Sequence, residues 1–204
     1  MARSSRESAR LLASVANGQG GYFTAKQAKE AGYNYPHLEY HLEAGNIERA
    51  GYGLYRLPTV PQAEHDELIR LTLWSRNQKD EPQAVVSHET ALTLHDLTEL
   101  LPDRVHLSVP PGFRKATPRG CVLHKTEITP AEIEEREGFR VTTPLRTLLD
   151  AAASGVSQEQ FEKAVSDALS RGLVSRAKLV AAARQNPRLD RLQAAAPSRR
   201  ITKK

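Results

Sequence analysis

Residues 22–57 read YFTAKQAKEAGYNYPHLEYHLEAGNIERAGYGLYRL, and they carry the clearest structural signals in the first part of the chain. Thr24 is a favourable N-cap for a helix over residues 25–31, and Gly32 lies where a glycine commonly ends a helix. A tight turn then leads into a second helix over residues 35–44, which is long enough to bury one apolar face. The stretch therefore predicts two helices joined by a glycine turn.

A helix over residues 6–15 precedes this pair, and a β-hairpin turning at Gly51-Tyr52-Gly53 follows it. Helix, helix, turn, helix and hairpin, in that order, is the layout of a winged helix-turn-helix. In that layout the helix after the turn enters the DNA major groove and the hairpin rests against the DNA backbone. Residues 1–61 are accordingly predicted to form a DNA-binding domain.

The recognition helix predicted over residues 35–44 turns Leu38 and Leu42 to the core, which leaves its other side chains for DNA. The candidates for contacts to bases or phosphates are Asn34, Tyr35, Pro36, His37, Tyr40 and His41. The helix contains no Lys or Arg, and its Glu39 and Glu43 would repel phosphate unless they point away from it. Most phosphate contacts must then come from Arg3, Arg6, Arg10, Lys26, Lys29, Arg49 and Arg56.

The second region, residues 62–187, alternates helix and strand patterns and predicts a mixed α and β domain, so that the chain as a whole is α+β. Val105, Leu107 and Val109 alternate as in a half-buried strand. Ser87 is expected to cap a helix through Leu97, Thr143 and Pro144 to open another helix, and the acid-rich residues 131–137 to form a third. Residues 188–204 are expected to form a basic tail, of which the polar and basic residues 193–204 are expected to be disordered.

Composition limits the classes of protein to consider. The chain has 204 residues, 39% of them hydrophobic, with 29 Lys plus Arg against 24 Asp plus Glu, which is typical of a globular protein. Seven basic residues and one acid lie between Arg184 and Lys204, so the positive net charge belongs to the tail. No signal peptide or membrane-spanning segment is evident, and we expect a cytoplasmic protein. The single cysteine, Cys121, excludes an internal disulfide.

The sequence contains no convincing catalytic constellation, and it predicts no catalytic residue, no cofactor and no metal. Ser87, His88 and Glu89 suggest a triad, but neighbouring residues on a helix point in different directions. His37 and His41 are four residues apart and could share a metal ion, although a pair without a third ligand more often forms a polar helix face.

A basic segment runs from Arg104 to Lys125, with Arg114, Lys115 and Arg119 in a loop stiffened by prolines. This loop would suit phosphate or an acidic partner surface. A solvated loop, or one neutralised by the acidic residues 127–137 that follow, is an equally open interpretation.

Four segments in order resemble one family, the AbiEi-type antitoxins of abortive-infection toxin–antitoxin systems, which act in phage defence. The segments are residues 21–32 with 45–58, SHETALTLHDL at 87–97, PDRVHLSVP at 102–110, and VTTPLRTLLDAA at 141–152. The resemblance implies a bacterial antitoxin that counteracts a nucleotidyltransferase-like toxin, AbiEii. It also implies a repressor that binds inverted repeats in double-stranded operator DNA, with two copies of the chain on one operator.

The resemblance also assigns residues by position. It implies that Thr24, Lys26 and Gln27 lie on the supporting helix, Asn34, Tyr35, His37, Tyr40 and His41 in the groove, and Arg49, Tyr52 and Arg56 on the wing. Candidates for antitoxicity in the second domain are Arg104, Arg114, Lys115, Arg119 and Arg146. Two alternatives stay open: a stand-alone transcriptional regulator whose second domain senses a ligand or dimerises, and an enzyme such as a nuclease or a modifier of the toxin.

Overall fold

The structure, a computed structural model, describes residues 4–99 and 101–185. The chain divides into two compact units. Of the described residues, 4–84 and 135–140 belong to the first unit, and 85–99, 101–134 and 141–185 belong to the second. The basic tail predicted over residues 188–204 lies outside the described residues. The mixture of helices and sheets confirms the predicted α+β class.

The first unit contains the predicted order of helices and hairpin and adds one short strand before the second helix. Its elements are α1 (Ser5–Asn17), β1 (Tyr22–Thr24), α2 (Ala25–Ala31), α3 (Tyr35–Glu43), β2 (Glu48–Gly51), β3 (Leu54–Arg56) and α4 (Asp66–Trp74). Strand β3 lies between β1 and β2 in an antiparallel sheet. The register between β2 and β3 shifts between Arg49 and Gly51, which forms a bulge beside the hairpin turn.

The turn between α2 and α3 is fixed by its sequence. Gly32 ends α2 at φ 105°, a left-handed conformation that glycine adopts readily. The side chain of Asn34 then caps α3 by accepting a hydrogen bond from the backbone N–H of His37 at 2.9 Å. Leu38 is buried against Leu12 and Phe23 in the core of this unit, and Leu42 is half-buried beside them. The predicted orientation of α3 toward the core is thereby confirmed.

Helix α4 belongs to the first unit, so the division falls after Ala84 and not after Pro61 as the sequence suggested. The hydroxyl of Tyr22 donates to Asp66 Oδ2 at 2.8 Å, which ties the start of α4 to β1. Arg76 donates to Gln19 Oε1 at 2.7 Å. The prolines at 58 and 61 end the hairpin, but these contacts hold the following helix in the same unit.

The second unit contains helices and a sheet in which some strands pair in parallel and others antiparallel. Its elements are β4 (Val85–Val86), α5 (His88–Leu94), β5 (Val105–Val109), β6 (Cys121–Lys125), a 3-10 turn (Pro130–Glu132), β7 (Ile133–Arg136), β8 (Phe139–Thr142), α6 (Pro144–Ala153), α7 (Gln158–Ser170) and α8 (Arg176–Gln185). Residues 135–140, at the tip of the β7–β8 hairpin, belong to the first unit. The strand order is β6-β5-β4-β8-β7, and β5 pairs with β6 in parallel. Leu148, Phe161 and Leu179 are buried in the core formed with α6, α7 and α8.

The predicted acidic helix over residues 131–137 is wrong. Most of these residues form β7, which is followed by a turn into the neighbouring strand β8. Gly138 has φ 80° in that turn, and a left-handed glycine after a polar residue is typical of a tight hairpin. Pairing in the sheet therefore overrides the helix propensity of the glutamates.

Replacing Gly32 with Ala is expected to destabilise the first unit more than replacing Gly45. A Cβ at Gly32 would lie 2.5 Å from Ser8 Oγ, whereas a Cβ at Gly45, also at positive φ, would meet nothing within 4 Å. We expect Gly32→Ala to lower the free energy of unfolding by about 2–3 kcal/mol and Gly45→Ala by about 1 kcal/mol. Urea denaturation of both variants measures the difference, and equal midpoints would contradict the account of this turn.

Candidate nucleic-acid interface and polar cluster

Helix α3 presents an acidic and aromatic outer surface. Tyr35 and Tyr40 are 70% and 63% exposed, which is high for large aromatic side chains. Glu39 and Glu43 are also exposed, and with Tyr35 they follow one another at four-residue spacing along the helix. We call Tyr35, Glu39, Tyr40 and Glu43 the outer face of α3. The glutamates, which the sequence analysis left without a role, therefore lie on the side that is open to a partner.

His37 and His41 lie at the half-buried side of α3, where His37 stacks on Tyr33 and the ring of His41 packs against Tyr33 at an interplanar angle of 55°. The Tyr33 ring centroid is 4.7 Å from that of His37 and 5.4 Å from that of His41. The two Nε2 atoms are 3.2 Å apart, and Asn46 Nδ2 is 3.3 Å from His41 Nδ1. With the amide in this orientation Asn46 donates to His41, which in turn donates to His37. Burial and the neighbouring His37 lower the pKa of His41.

This stack changes the part that the two histidines can play. Both were predicted to contact bases or phosphates, but their Nε2 atoms are engaged with each other and both rings pack against Tyr33. They hold α3 against the residue that follows the glycine turn. Their position supports a role in orienting the helix.

The supporting helix α2 begins with a reciprocal hydrogen-bonded cap. Thr24 Oγ1 accepts from the N–H of Gln27 at 3.1 Å, and Gln27 Oε1 accepts from the N–H of Thr24 at 2.8 Å. Gln27 is also hydrogen bonded to Gln19. Thr24 and Gln27 are therefore committed to local structure, whereas Lys26 is exposed, with Glu30 at 4.0 Å.

The hairpin, β2 and β3 with their turn, places one aromatic and one cationic side chain in the open. Tyr52 is fully exposed in the turn. Arg49 is exposed and lies over the Tyr55 ring, 5.6 Å from its centroid. Arg56 is half-buried instead, because it donates to the carbonyl of Val60 and lies 3.9 Å from Glu48. Of the two arginines predicted to contact phosphate from the hairpin, Arg49 is thus the accessible one.

A groove of about 520 Å³ opens beside the start of α3. Lys29, Tyr33, Tyr35 and Tyr55 are among the residues that line it. The groove extends the accessible surface next to the outer face of α3.

The basic residues predicted as candidates for antitoxicity fall into two groups. Arg104, Arg114, Lys115 and Arg119 are exposed, and all but Arg104 lie in the loop between β5 and β6. Arg146 is different, because its guanidinium lies 2.8 Å from Asp150 Oδ1 and 2.9 Å from Glu132 Oε1. Burial raises the pKa of Asp150 although Arg146 opposes this. Arg146 therefore stabilises the second unit internally and is less available to a partner than the loop residues.

Three histidines that are far apart in the sequence meet in the second unit. His88 at the start of α5 stacks on His124 of β6 with ring centroids 3.5 Å apart. His106 Nδ1 of β5 lies 3.0 Å from His124 Nε2 and 2.9 Å from Glu89 Oε2. We call His88, Glu89, His106 and His124 the imidazole cluster. The sequence alone did not predict this cluster. It depends on the parallel pairing of β5 and β6, which places Ser108 beside His124 and has no local sequence signal.

The first turn of α5 explains why Ser87 and His88 bond to each other. His88 has φ 53°, a left-handed value that is uncommon for a residue other than glycine. Its Nδ1 atom lies 2.9 Å from the buried Ser87 Oγ, which also accepts from Ser108 Oγ at 2.8 Å. Ser87 and His88 can bond because Ser87 precedes the first residue of α5 and His88 has a left-handed backbone. Glu89 nevertheless pairs with His106, so Ser87, His88 and Glu89 do not form a relay.

The imidazole cluster lowers the pKa of His88, His124 and Glu89. Burial and the nearby His124 lower the pKa of His88 to about 3, and burial with His106 lowers that of His124. The contact with His106 lowers the pKa of Glu89 to about 2. Within residues 4–99 and 101–185, no group of three or more His, Cys, Asp or Glu side chains is arranged to hold a metal ion.

Both units match models of one class of protein, antitoxins that act as transcriptional regulators. The model described as "Transcriptional regulator, AbiEi antitoxin" matches residues 10–58, and that of the AbiEi antitoxin C-terminal domain matches residues 84–196. Since the second match alone covers more than half of the chain, the protein belongs to the AbiEi antitoxin family. The resemblance inferred from the four sequence segments is thereby confirmed.

Comparisons with solved structures and with curated proteins assign no further family. The RV2827C protein from Mycobacterium tuberculosis has a crystal structure that aligns with 96% of this chain and 82% of its own, at 16% identity and a TM-score of 0.47. No curated protein matches the chain significantly. Across the part of the chain that the structure describes, no helix is both long enough and apolar enough to cross a membrane.

The imidazole cluster predicts that acid destabilises the second unit. The pKa of His88 lies far below its value of about 6.5 in an unfolded chain, so the unfolded state binds more protons as the pH falls below about 6.5. His88 alone can then lower the free energy of unfolding by up to about 2 kcal/mol between pH 7.5 and pH 5. Glu89 lowers the free energy of unfolding further only below about pH 4.5, because its pKa in the folded state is also lowered.

Urea denaturation at pH 7.5 and pH 5 tests this expectation in the full chain and in His88→Asn, since asparagine tolerates a positive φ. The variant is expected to lose less stability than the native chain over the same interval. An equal loss in both proteins would show that His88 does not carry the effect.

Proposed function

We propose that the chain is an antitoxin that represses its own operon and counteracts a nucleotidyltransferase-like toxin. The first unit binds inverted repeats in operator DNA, and the second unit supplies antitoxicity. The protein acts by binding, without a catalytic step of its own. The observation that carries the DNA-binding part is the joint exposure of the outer face of α3 and of Tyr52, on the unit matched to the regulator model.

Phosphate contacts would provide the affinity for DNA, and a few side chains in the major groove would determine which sequence is bound. Asn34, Tyr35 and Tyr40 would face the bases from α3, while Arg49 and Tyr52 follow the DNA backbone from the hairpin. Arg6, Arg10, Lys26 and Lys29 would add contacts from α1 and α2. Five other residues would support this surface structurally. They are His37 and His41, which pack on Tyr33, Thr24 and Gln27 in the cap of α2, and Arg56 of the hairpin.

One chain of this size reaches a single half-site, because one recognition helix spans only a few base pairs of one major groove. An inverted repeat has two-fold symmetry, and two copies of the chain match it. We therefore propose a dimer on the operator.

The second unit would neutralise the toxin through its exposed basic side chains. Arg114, Lys115 and Arg119 project from one short loop, and Arg104 adds a further charge beside it. Exposed cations of this kind recognise an acidic or phosphate-bearing surface. Arg146 contributes indirectly, by holding Asp150 and Glu132 in place.

Replacing Arg49 with Ala is expected to weaken binding to the DNA upstream of the gene across all sequences. Each phosphate contact contributes to the salt dependence, so the slope of log affinity against log salt should fall by about 1. Titration of a labelled duplex at several salt concentrations measures this slope. Lys178→Ala, which removes an exposed charge from α8, is the matched control and should leave it unchanged. Equal slopes for Arg49→Ala and the native chain would contradict the proposed role of the hairpin.

Reversing two charges of the β5–β6 loop, with Arg114→Glu and Arg119→Glu combined, is expected to abolish rescue from the toxin while leaving DNA affinity unchanged. The measurement is growth of cells that co-express the chain with the product of the adjacent gene. Lys178→Glu is the control for added negative charge and should still rescue. Full rescue by the double variant would exclude the loop from antitoxicity and would favour a stand-alone regulator.

A further inference from the structure

The outer face of α3 is acceptor-rich, which is unusual for a helix that approaches DNA. Its two glutamates, Glu39 and Glu43, are exposed, and the helix carries no Lys or Arg. Its histidines lie on the half-buried side of the helix, where they are hydrogen bonded to each other. The helix therefore gains little from phosphate, and any favourable contact of its carboxylates must be with donors.

The two glutamates differ in their position along α3. Glu39 lies one turn after Tyr35, the first residue of the helix, whereas Glu43 is the last residue. In helix-turn-helix proteins the N-terminal residues of the recognition helix contact the base edges. Glu39 is therefore the glutamate that would reach the groove floor, and Glu43 would remain near its rim.

The side chain of Glu39 is available for such a contact. Within the two described ranges no ion pair or hydrogen bond engages its carboxylate, whereas Glu30 on α2 lies 4.0 Å from Lys26. Tyr35, one turn before it, is exposed on the same side of α3.

The chemistry of the major groove restricts what this carboxylate can bind. An ionised carboxylate only accepts hydrogen bonds, and the base-edge donors in the major groove are the exocyclic amino groups of cytosine and adenine. Adenine also presents its N7 acceptor beside the amino group, and this would repel the second carboxylate oxygen. Cytosine is therefore the favoured partner.

We propose that Glu39 reads the N4 amino group of a cytosine in each half-site, so that α3 selects its sequence by accepting hydrogen bonds. The inference rests on the proposed function, since it requires that α3 enters the groove. Glu39 adds discrimination and not overall affinity, because every other sequence leaves its charge unpaired beside phosphate. Sites without cytosine at this position are rejected for that reason.

The test is a selection of binding sites from randomised DNA duplexes by the full chain at fixed salt. The native chain is expected to enrich cytosine at one position of each half-site. Glu39→Gln should reduce that preference by about tenfold and shift it toward adenine, which a glutamine amide can contact at N6 and N7. It should also bind unselected DNA more tightly, since one repulsive charge is gone. Glu43→Gln is the matched control and should keep the cytosine preference.

The outcomes separate the inference from the function on which it rests. Sequence-selective binding by the native chain, with a cytosine preference that Glu39→Gln retains, would overturn the inference and leave the proposed function standing. Selective binding without any cytosine preference would do the same. Failure of the native chain to bind any duplex would overturn both. Thermal unfolding of each variant, expected to match that of the native chain, shows that the exposed substitutions do not affect folding.

Discussion

The close approach of Gly32 to Ser8 is the constraint on which the first unit depends. A residue with φ 105° ends α2 there, and a Cβ would lie only 2.5 Å from the Ser8 hydroxyl oxygen. The chain can therefore turn tightly between α2 and α3 while α1 packs against the turn. Leu38 then reaches the core, and the packing of His37 and His41 on Tyr33 fixes the rotation of α3. These contacts leave the outer face of α3 exposed.

The two units use histidine in similar ways. In the first unit, a pair of imidazoles that share a hydrogen bond orients a helix. In the second, three imidazoles and Glu89 connect the start of α5 to two parallel strands. Buried neutral imidazoles can pack like aromatic rings while still satisfying polar neighbours. Both arrangements make the structure sensitive to acid, because protonation places charge where burial disfavours it.

Much of the fold could be predicted from local signals, and the parts that could not have a common cause. Thr24, Gly32 and Asn34 mark helix ends by their own chemistry, and the spacing of Leu38 and Leu42 fixes the buried face of α3. The side of α3 on which the histidines lie depends on Tyr33, which no periodicity reveals. The imidazole cluster and the β7–β8 hairpin likewise depend on strand pairing between distant residues. The sequence therefore indicates where candidate site residues lie along the chain, but not which of them are exposed.

The most direct test of the account is photo-crosslinking from single positions of the full chain to the upstream duplex. A photoreactive amino acid replaces Tyr40 on the outer face of α3, Tyr52 in the hairpin turn, or the partly exposed Leu173, which lies between α7 and α8. The account predicts crosslinks from positions 40 and 52, competed away by the same unlabelled duplex, and none from position 173. A crosslink from position 173 with none from position 40 would contradict the claim that α3 contacts DNA.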